Sequence, residues 1–225
     1  MRIATFNANS ILSRMEAIVA WGDANHPDVL CIQETKVRDE EFPIAPLREA
    51  GWFAEFRGEK SYNGVAILSR CPPDEVWAGF EDDGPTDVTR LLAARFGPLV
   101  VLNTYVPQGR ELTHEMYRYK LAWFGRLRRW IESRFRPEDP LLWCGDLNVA
   151  RTPMDVHSPE THLNHVCYHK DVRLAFEECL QWGFTDVYRQ FHPEPNRYSF
   201  YDYRSPGAVQ RNIGWRIDYL LASSG

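Results

Sequence analysis

The sequence predicts an α/β fold in a single domain over residues 1–225, and three observations carry that expectation. Short apolar, β-prone runs recur along the whole chain. Segments with helical periodicity lie between them, and no linker-like, repetitive or low-complexity stretch separates the two kinds of element. With 225 residues, 44% of them apolar, there is enough material to bury one substantial core.

Taken in order, the strand-like runs cover residues 3–6, 29–32, 64–68, 90–96, 99–105 and 141–144. Several are apolar on both faces, as in a covered sheet. A short helix is expected over 14–24. A longer one is expected over 114–135, with Tyr117, Leu121, Phe124, Leu127 or Arg128, Ile131 and Phe135 on one face. Arg118, Arg126, Arg129 and Arg134 fall elsewhere on it, and a solvated outer face explains the Arg126-Arg128-Arg129 run better than a nucleic-acid surface. A third helix over 171–182 places Leu174, Phe176, Cys179, Leu180 and Trp182 at helical spacing.

Composition narrows the setting. A formal charge of −5 argues mildly against a generic nucleic-acid binder, although an enzyme that gathers carboxylates around a cation can be acidic overall. The five cysteines are odd in number and never spaced C-x-x-C, which suits free thiols in a reducing compartment. No apolar run approaches the roughly 20 residues of a spanning helix. Met1-Arg2 leads straight into a strand-like run instead of a signal sequence. The expectation is a cytoplasmic protein without membrane association.

The chemistry is expected where the strands end. Asn7, Glu34, Asp146 and Asn148 are hard oxygen donors at the tips of separate apolar runs, and ligands in α/β sheets gather beyond strand ends. Carboxylate and amide oxygens suit Mg²⁺ or Mn²⁺. Singly, each could be a turn residue or a helix cap; the joint pattern lifts the functional reading. Asp218 stands inside the apolar stretch Trp215-Arg216-Ile217-Asp218-Tyr219-Leu220-Leu221, read as a buried strand. A buried carboxylate needs a partner. A pair with nearby Arg216 is the weaker reading, and a catalytic partner elsewhere is expected.

Several segments then stand together in order: Thr5-Phe6-Asn7-Ala8-Asn9, Ile32-Gln33-Glu34-Thr35-Lys36, Tyr62-Asn63-Gly64-Val65-Ala66, Asn103-Thr104-Tyr105-Val106-Pro107-Gln108-Gly109, Cys144-Gly145-Asp146-Leu147-Asn148-Val149, Tyr198-Ser199-Phe200-Tyr201-Asp202-Tyr203-Arg204 and Gly214 to Leu221. This set resembles the signatures of the exonuclease III / apurinic-apyrimidinic endonuclease family. The wider superfamily includes deoxyribonuclease I, sphingomyelinases and inositol-phosphate phosphatases. The resemblance implies a four-layered α/β/β/α sandwich, two packed mixed sheets flanked by helices. It implies a Mg²⁺-dependent nuclease, with Mn²⁺ as a substitute, that attacks a phosphodiester in line with water.

In that scheme Glu34 holds the metal with Asn7 beside it, and Asp146 and Asn148 complete the metal set. Asp146 activates the water, Asn148 and Tyr105 stabilise the pentacovalent phosphate, and Asp218 is the fourth catalytic residue. Asn9, Tyr62, Arg90, Gln108, Phe200 and Trp215 match DNA-contacting positions. Phe200 and Trp215 match the pocket walls around a base-less sugar, although bacterial members carry Trp at the first position and a smaller apolar residue at the second. Arg90 could equally pair with a core carboxylate. The implied partner is double-stranded DNA with abasic or 3′-blocked sites, bound by a monomer without an obligate protein partner.

Two features stand apart. His157, His162, His165, Cys167 and His169 mimic zinc-ligand spacing within thirteen positions, and solvent-exposed histidines or phosphate contacts are the better reading. The family also ends on a Ser-Asp-His segment on a final strand pair, whereas this sequence stops seven residues after Asp218. The expectation is a fragment lacking the C-terminal strands, with Asp218 left unpaired and a sheet edge uncovered. Two alternatives follow: a superfamily phosphodiesterase acting on small phosphoesters or RNA ends, and a catalytically impaired DNA-binding module.

Overall fold

The computed structural model describes residues 1–225, which divide into two compact units. The first holds Met1–Tyr105 and Asp139–Asp146; the second holds Val106–Glu138 and Leu147–Gly225.

In the first unit, β1 (Ile3–Asn7), α1 (Met15–Asn25), β2 (Val29–Gln33), α2 (Ile44–Glu49), β3 (Phe53–Arg57) and β4 (Val65–Ser69) come first. They are followed by β5 (Glu75–Ala78), β6 (Leu91–Phe96) and β7 (Leu99–Tyr105) and, after an excursion into the second unit, β8 (Leu141–Asp146). One sheet runs β1-β2-β4-β3, with β1 parallel to β2 and the other pairs antiparallel. In the other, β5, β6 and β7 are antiparallel neighbours and β7 runs parallel to β8. Both sheets are mixed, as the resemblance implies.

The strands read as apolar on both sides because both sides are covered: every residue of β2 and β4 is buried. A pair of buried amides ties the two sheets. Gln33 Nε2 donates to Asn103 Oδ1 at 2.6 Å, and Asn103 Nδ2 donates to the carbonyls of Ile32 and Ala66 at 3.0 and 2.9 Å. Buried amides without partners would cost stability, so this network fixes the register in which the strand tips meet.

The second unit contains α3 (Glu115–Glu132), α4 (Lys170–Leu180), β9 (Thr185–Asp186), α5 (Val187–Phe191) and β10 (Asp218–Ala222). The side chain of His114 caps α3 by accepting from Met116 N. Phe124 of α3 meets Phe176 of α4, with ring centroids 5.9 Å apart. No helix is long and apolar enough to cross a membrane.

Some expectations are corrected here. Arg126 is buried in α3, not on a solvated outer face, and Lys120, Trp123 and Trp130 join the apolar stripe while Leu121 is only half-buried. In α4 Val172, Phe176, Cys179 and Leu180 are buried and Leu174 is exposed. The stretch expected as a strand from Trp215 is regular only from Asp218, and Asp218 itself is half-buried. Arg216 is the deeply buried charge, at 3% exposure. It donates to Asp155 (Nε–Oδ1 2.7 Å) and Asp186 (Nη2–Oδ2 2.6 Å).

Candidate active site

In the first unit, β1, β2 and β8 bring three side chains together. Asn7 ends β1, Glu34 follows β2, and Asp146 ends β8. Asn7 Nδ2 donates to Glu34 Oε1 at 2.9 Å and to Asp146 Oδ2 at 2.8 Å. Its Oδ1 is turned to the backbone N–H of Asn9 at 3.0 Å. In this arrangement Asn7 bridges the two carboxylates as a donor instead of presenting its oxygen. Lys36 Nζ lies 2.7 Å from Glu34 Oε2 and also bonds Asn9 Oδ1.

The backbone around Glu34 takes an unusual conformation. Glu34 has φ 53, in the left-handed region that non-glycine residues rarely enter. The turn before β4 holds this conformation: Thr35 N donates to Gly64 O and Lys36 N to Asn63 O, at 3.2 and 3.0 Å. A Cβ on Gly64 would stand 1.9 Å from Thr35 Oγ1, and Gly64 itself has φ +94. Only glycine permits so close an approach, which explains the Asn63-Gly64 pair seen in the sequence. At the other edge of the cluster, a Cβ on Gly145 would meet Thr104 O at 2.0 Å, so glycine lets β8 deliver Asp146 beside β7.

Tyr105 ends β7 and stands close enough to Glu34 and Asp146 to feel their charges. Burial, then the charges of Glu34 and Asp146, push its phenol pKa well above the ordinary value, with Arg90 opposing. Tyr105 is therefore a neutral hydroxyl donor, not a phenolate base. The Arg90 guanidinium lies 5.0 Å from the Tyr105 ring centroid and donates to the Tyr105 carbonyl at 3.2 Å. Tyr62 is 69% exposed on the loop before β4.

In the second unit, Asn148 is buried with φ 49, and its Nδ2 donates to Val106 O at 2.9 Å. Gln108 is exposed, its Oε1 accepting from Arg110 N at 2.7 Å. Phe200 and Trp215, proposed as pocket walls, are direct backbone partners: each donates its N–H to the other's carbonyl, at 2.8 and 2.9 Å. The Asp218 carboxylate is not left unpaired, because Ser199 Oγ donates to it at 2.6 Å.

Sequence reasoning missed the surroundings of Trp215. His157, His162 and His165 have ring centroids 6.1, 4.9 and 4.5 Å from it, and the first two are half-buried instead of free in solvent. Burial, followed by the influence of His162, lowers the pKa of His165, although its residue is exposed at the surface; burial also lowers that of His157. No three His, Cys, Asp or Glu side chains are grouped in a way that could hold a metal ion. The signal for this wall was hidden because Val156 pairs with Trp215 across nearly sixty residues of sequence.

The sequence pattern of the Endonuclease/Exonuclease/phosphatase family matches residues 4–225. The chain belongs to that family. Within it, the chain is 30% identical to an exodeoxyribonuclease of Bacillus subtilis, over 99% of this chain and 88% of that protein. An AP endonuclease from Archaeoglobus fulgidus superposes with a TM-score of 0.96 at 46% identity, covering 99% of this chain and 87% of that one. A 3′ phosphatase from Neisseria, solved bound to a product DNA hairpin, gives 0.92 at 35% identity over 100% of this chain and 87% of that one. These relatives put the chain in the exonuclease III and AP endonuclease branch of the family and make it a hydrolase of the nuclease type.

Proposed function

We propose that the chain is a Mg²⁺-dependent DNA-repair nuclease that hydrolyses phosphodiesters at abasic sites in double-stranded DNA. It has 3′→5′ exonuclease and 3′-phosphodiesterase activity as well, and Mn²⁺ can replace Mg²⁺. The observation that carries the proposal is the meeting of two carboxylates, Glu34 and Asp146, on the amide of Asn7.

The donor set fits such an ion. Mg²⁺ is usually bound through one or two carboxylates plus water, with no need of a closed protein cage. The ammonium of Lys36 already marks Glu34 as a cation-seeking group. Glu34 and Asp146 would hold the ion with Asn7 beside them, and the ion would neutralise charge building on the phosphoryl and leaving oxygens.

The chain's own residues carry the remaining work. Asp146 orients the attacking water and accepts its proton at a carboxylate oxygen. Tyr105 stays protonated and donates a hydrogen bond to the phosphoryl group as negative charge grows there; Asn148 does the same through its amide. Phe200 and Trp215 offer aromatic surface to a flipped, base-less sugar, and Arg90, Gln108, Tyr62 and Asn9 contact the DNA strand. Asp218, held by Ser199, supports this machinery. The protein acts as a cytoplasmic monomer.

The test is incision of a duplex carrying a tetrahydrofuran abasic analogue. Turnover is expected with Mg²⁺, abolished by chelator, and reduced about 100-fold or more in Glu34→Ala and Asp146→Asn with the fold intact. Duplex binding without turnover would favour a DNA-binding module, and turnover confined to small phosphodiesters would move the substrate elsewhere in the superfamily.

A further inference from the structure

Lys120 lies in the middle of α3 and is completely buried. A lysine ammonium is strongly hydrated in water, so its burial demands replacement partners. The Lys120 Nζ donates to three backbone carbonyls: Gln108 O at 3.0 Å, Asn148 O at 2.6 Å and Val166 O at 2.9 Å. An ammonium has three N–H bonds to place, and the Cys167 sulfur at 3.9 Å stands beside these carbonyls as a weaker acceptor. The carbonyls belong to three separate loops. One bears Gln108, one bears Asn148, and one runs through His165 and Cys167, beside the rings that surround Trp215.

The loops close on the lysine stem as well as on its charge. A Cβ on Gly109 would come within 3.3 Å of Lys120 Cδ, so the 106–110 loop wraps directly around it. Asn148 is fixed on several sides at once. Its carbonyl is held by Lys120, its Nδ2 by Val106 O, and its Oδ1 faces the Cys167 thiol at 3.9 Å. Asparagine tolerates its left-handed backbone at φ 49, and these contacts fix the side chain that this backbone presents.

We propose that Lys120 is a positioning residue: one buried ammonium pins three loops and thereby sets the Asn148 amide in the orientation used in catalysis. The catalytic half of this inference rests on the nuclease reading; the pinning of the loops does not. Lys120 contacts neither substrate nor cation in this role. It acts through Asn148.

Two measurements decide it. In Lys120→Met, backbone hydrogen exchange in segments 106–110, 147–150 and 165–168 is expected to speed up about tenfold or more, while exchange in β1, β2 and β7 stays as in the parent. Unchanged exchange in the three loops overturns the clamp, whatever the enzyme's activity. On the tetrahydrofuran duplex, kcat is expected to fall about 100-fold with KM changed less than about threefold. Lys120→Met/Asn148→Ala should be no slower than Asn148→Ala alone, because the two residues act as one unit. Losses that multiply would mean that Lys120 supports the fold in general, and the positioning role would fall. If Lys120→Met does not fold, Lys120→Gln, which keeps a shorter donor, is measured in the same way. A parent protein without turnover would refute the nuclease reading, while the exchange experiment would still decide the clamp.

Discussion

Replacing Arg216 by Met should be among the most destabilising single changes in the protein, and its pH dependence should reveal why. Arg216, Asp155 and Asp186 have side chains that are at most 4% exposed. Removing the guanidinium does not affect the two acids equally. Asp155 keeps Arg189 (Nη2–Oδ1 2.5 Å) and the Thr152 hydroxyl at 2.8 Å. Asp186 loses both guanidinium contacts and keeps the Arg189 backbone N–H at 3.2 Å. Breaking a buried pair in this way costs about 3–5 kcal/mol, because a charge is left without compensation. At about 2–4 °C per kcal/mol for a chain of this size, the melting temperature should fall by roughly 10 °C.

The pH dependence follows from the same geometry. In the parent, burial raises the Asp155 pKa but Arg216, Arg189 and Thr152 more than reverse it, so the net shift is downward. A depressed folded-state pKa contributes stability above the unfolded value of about 3.9 and loses it as pH falls below, so this contribution is flat between pH 5 and 8. In the variant, Asp155 loses the largest of the partners that depress it, so its part of the penalty is full above the unfolded value of about 3.9 and shrinks as pH falls below it. Urea unfolding of both proteins at about pH 7 and about pH 3 reads this directly. A loss below about 1 kcal/mol, or an equal loss at both pH values, would refute the reasoning.

Two further outcomes follow from the first unit. Tyr105→Phe should lower kcat about 10²–10³-fold, as for loss of one charge-stabilising donor, without moving the alkaline limb of the pH–rate profile. An alkaline limb lost in the variant would show that Tyr105 titrates and is not a permanent donor. Gly64→Ala should lower stability by about 1–3 kcal/mol and turnover by more than that predicts, because the added methyl collides with Thr35 and displaces the Glu34 loop; normal turnover in a destabilised protein would break that link.

Much of the fold was legible because its strands are apolar on both faces and their polar tips stand out against them. The runs at 29–32, 99–105 and 141–144 mark β2, β7 and β8 closely, and the carboxylates at or just after two of these tips do meet on Asn7. What sequence could not give were partners set by tertiary contact. Lys120 and Arg126 sit in a helix rich in basic residues, and nothing local distinguishes a buried cation from a solvated one. Asp218 was expected to be buried and unpaired because it lies among apolar residues; its half-exposure and its bond to Ser199 depend on a contact 19 residues away. The short strands β3 and β5 and the helix α2 carry weak periodicity and were missed. His165 is exposed as expected, while His157 and His162 are half-buried because the backbone pairing that gathers them around Trp215 is long-range.

The central claim is that Glu34 and Asp146, gathered by Asn7, form a divalent-cation site. Mn²⁺ binding followed by electron paramagnetic resonance on the DNA-free protein tests this without reference to turnover. Saturable binding in the parent, competed by Mg²⁺ and weakened about tenfold or more in Glu34→Gln and in Asp146→Asn, is the predicted result. Equal Mn²⁺ affinity in the parent and both variants would contradict it.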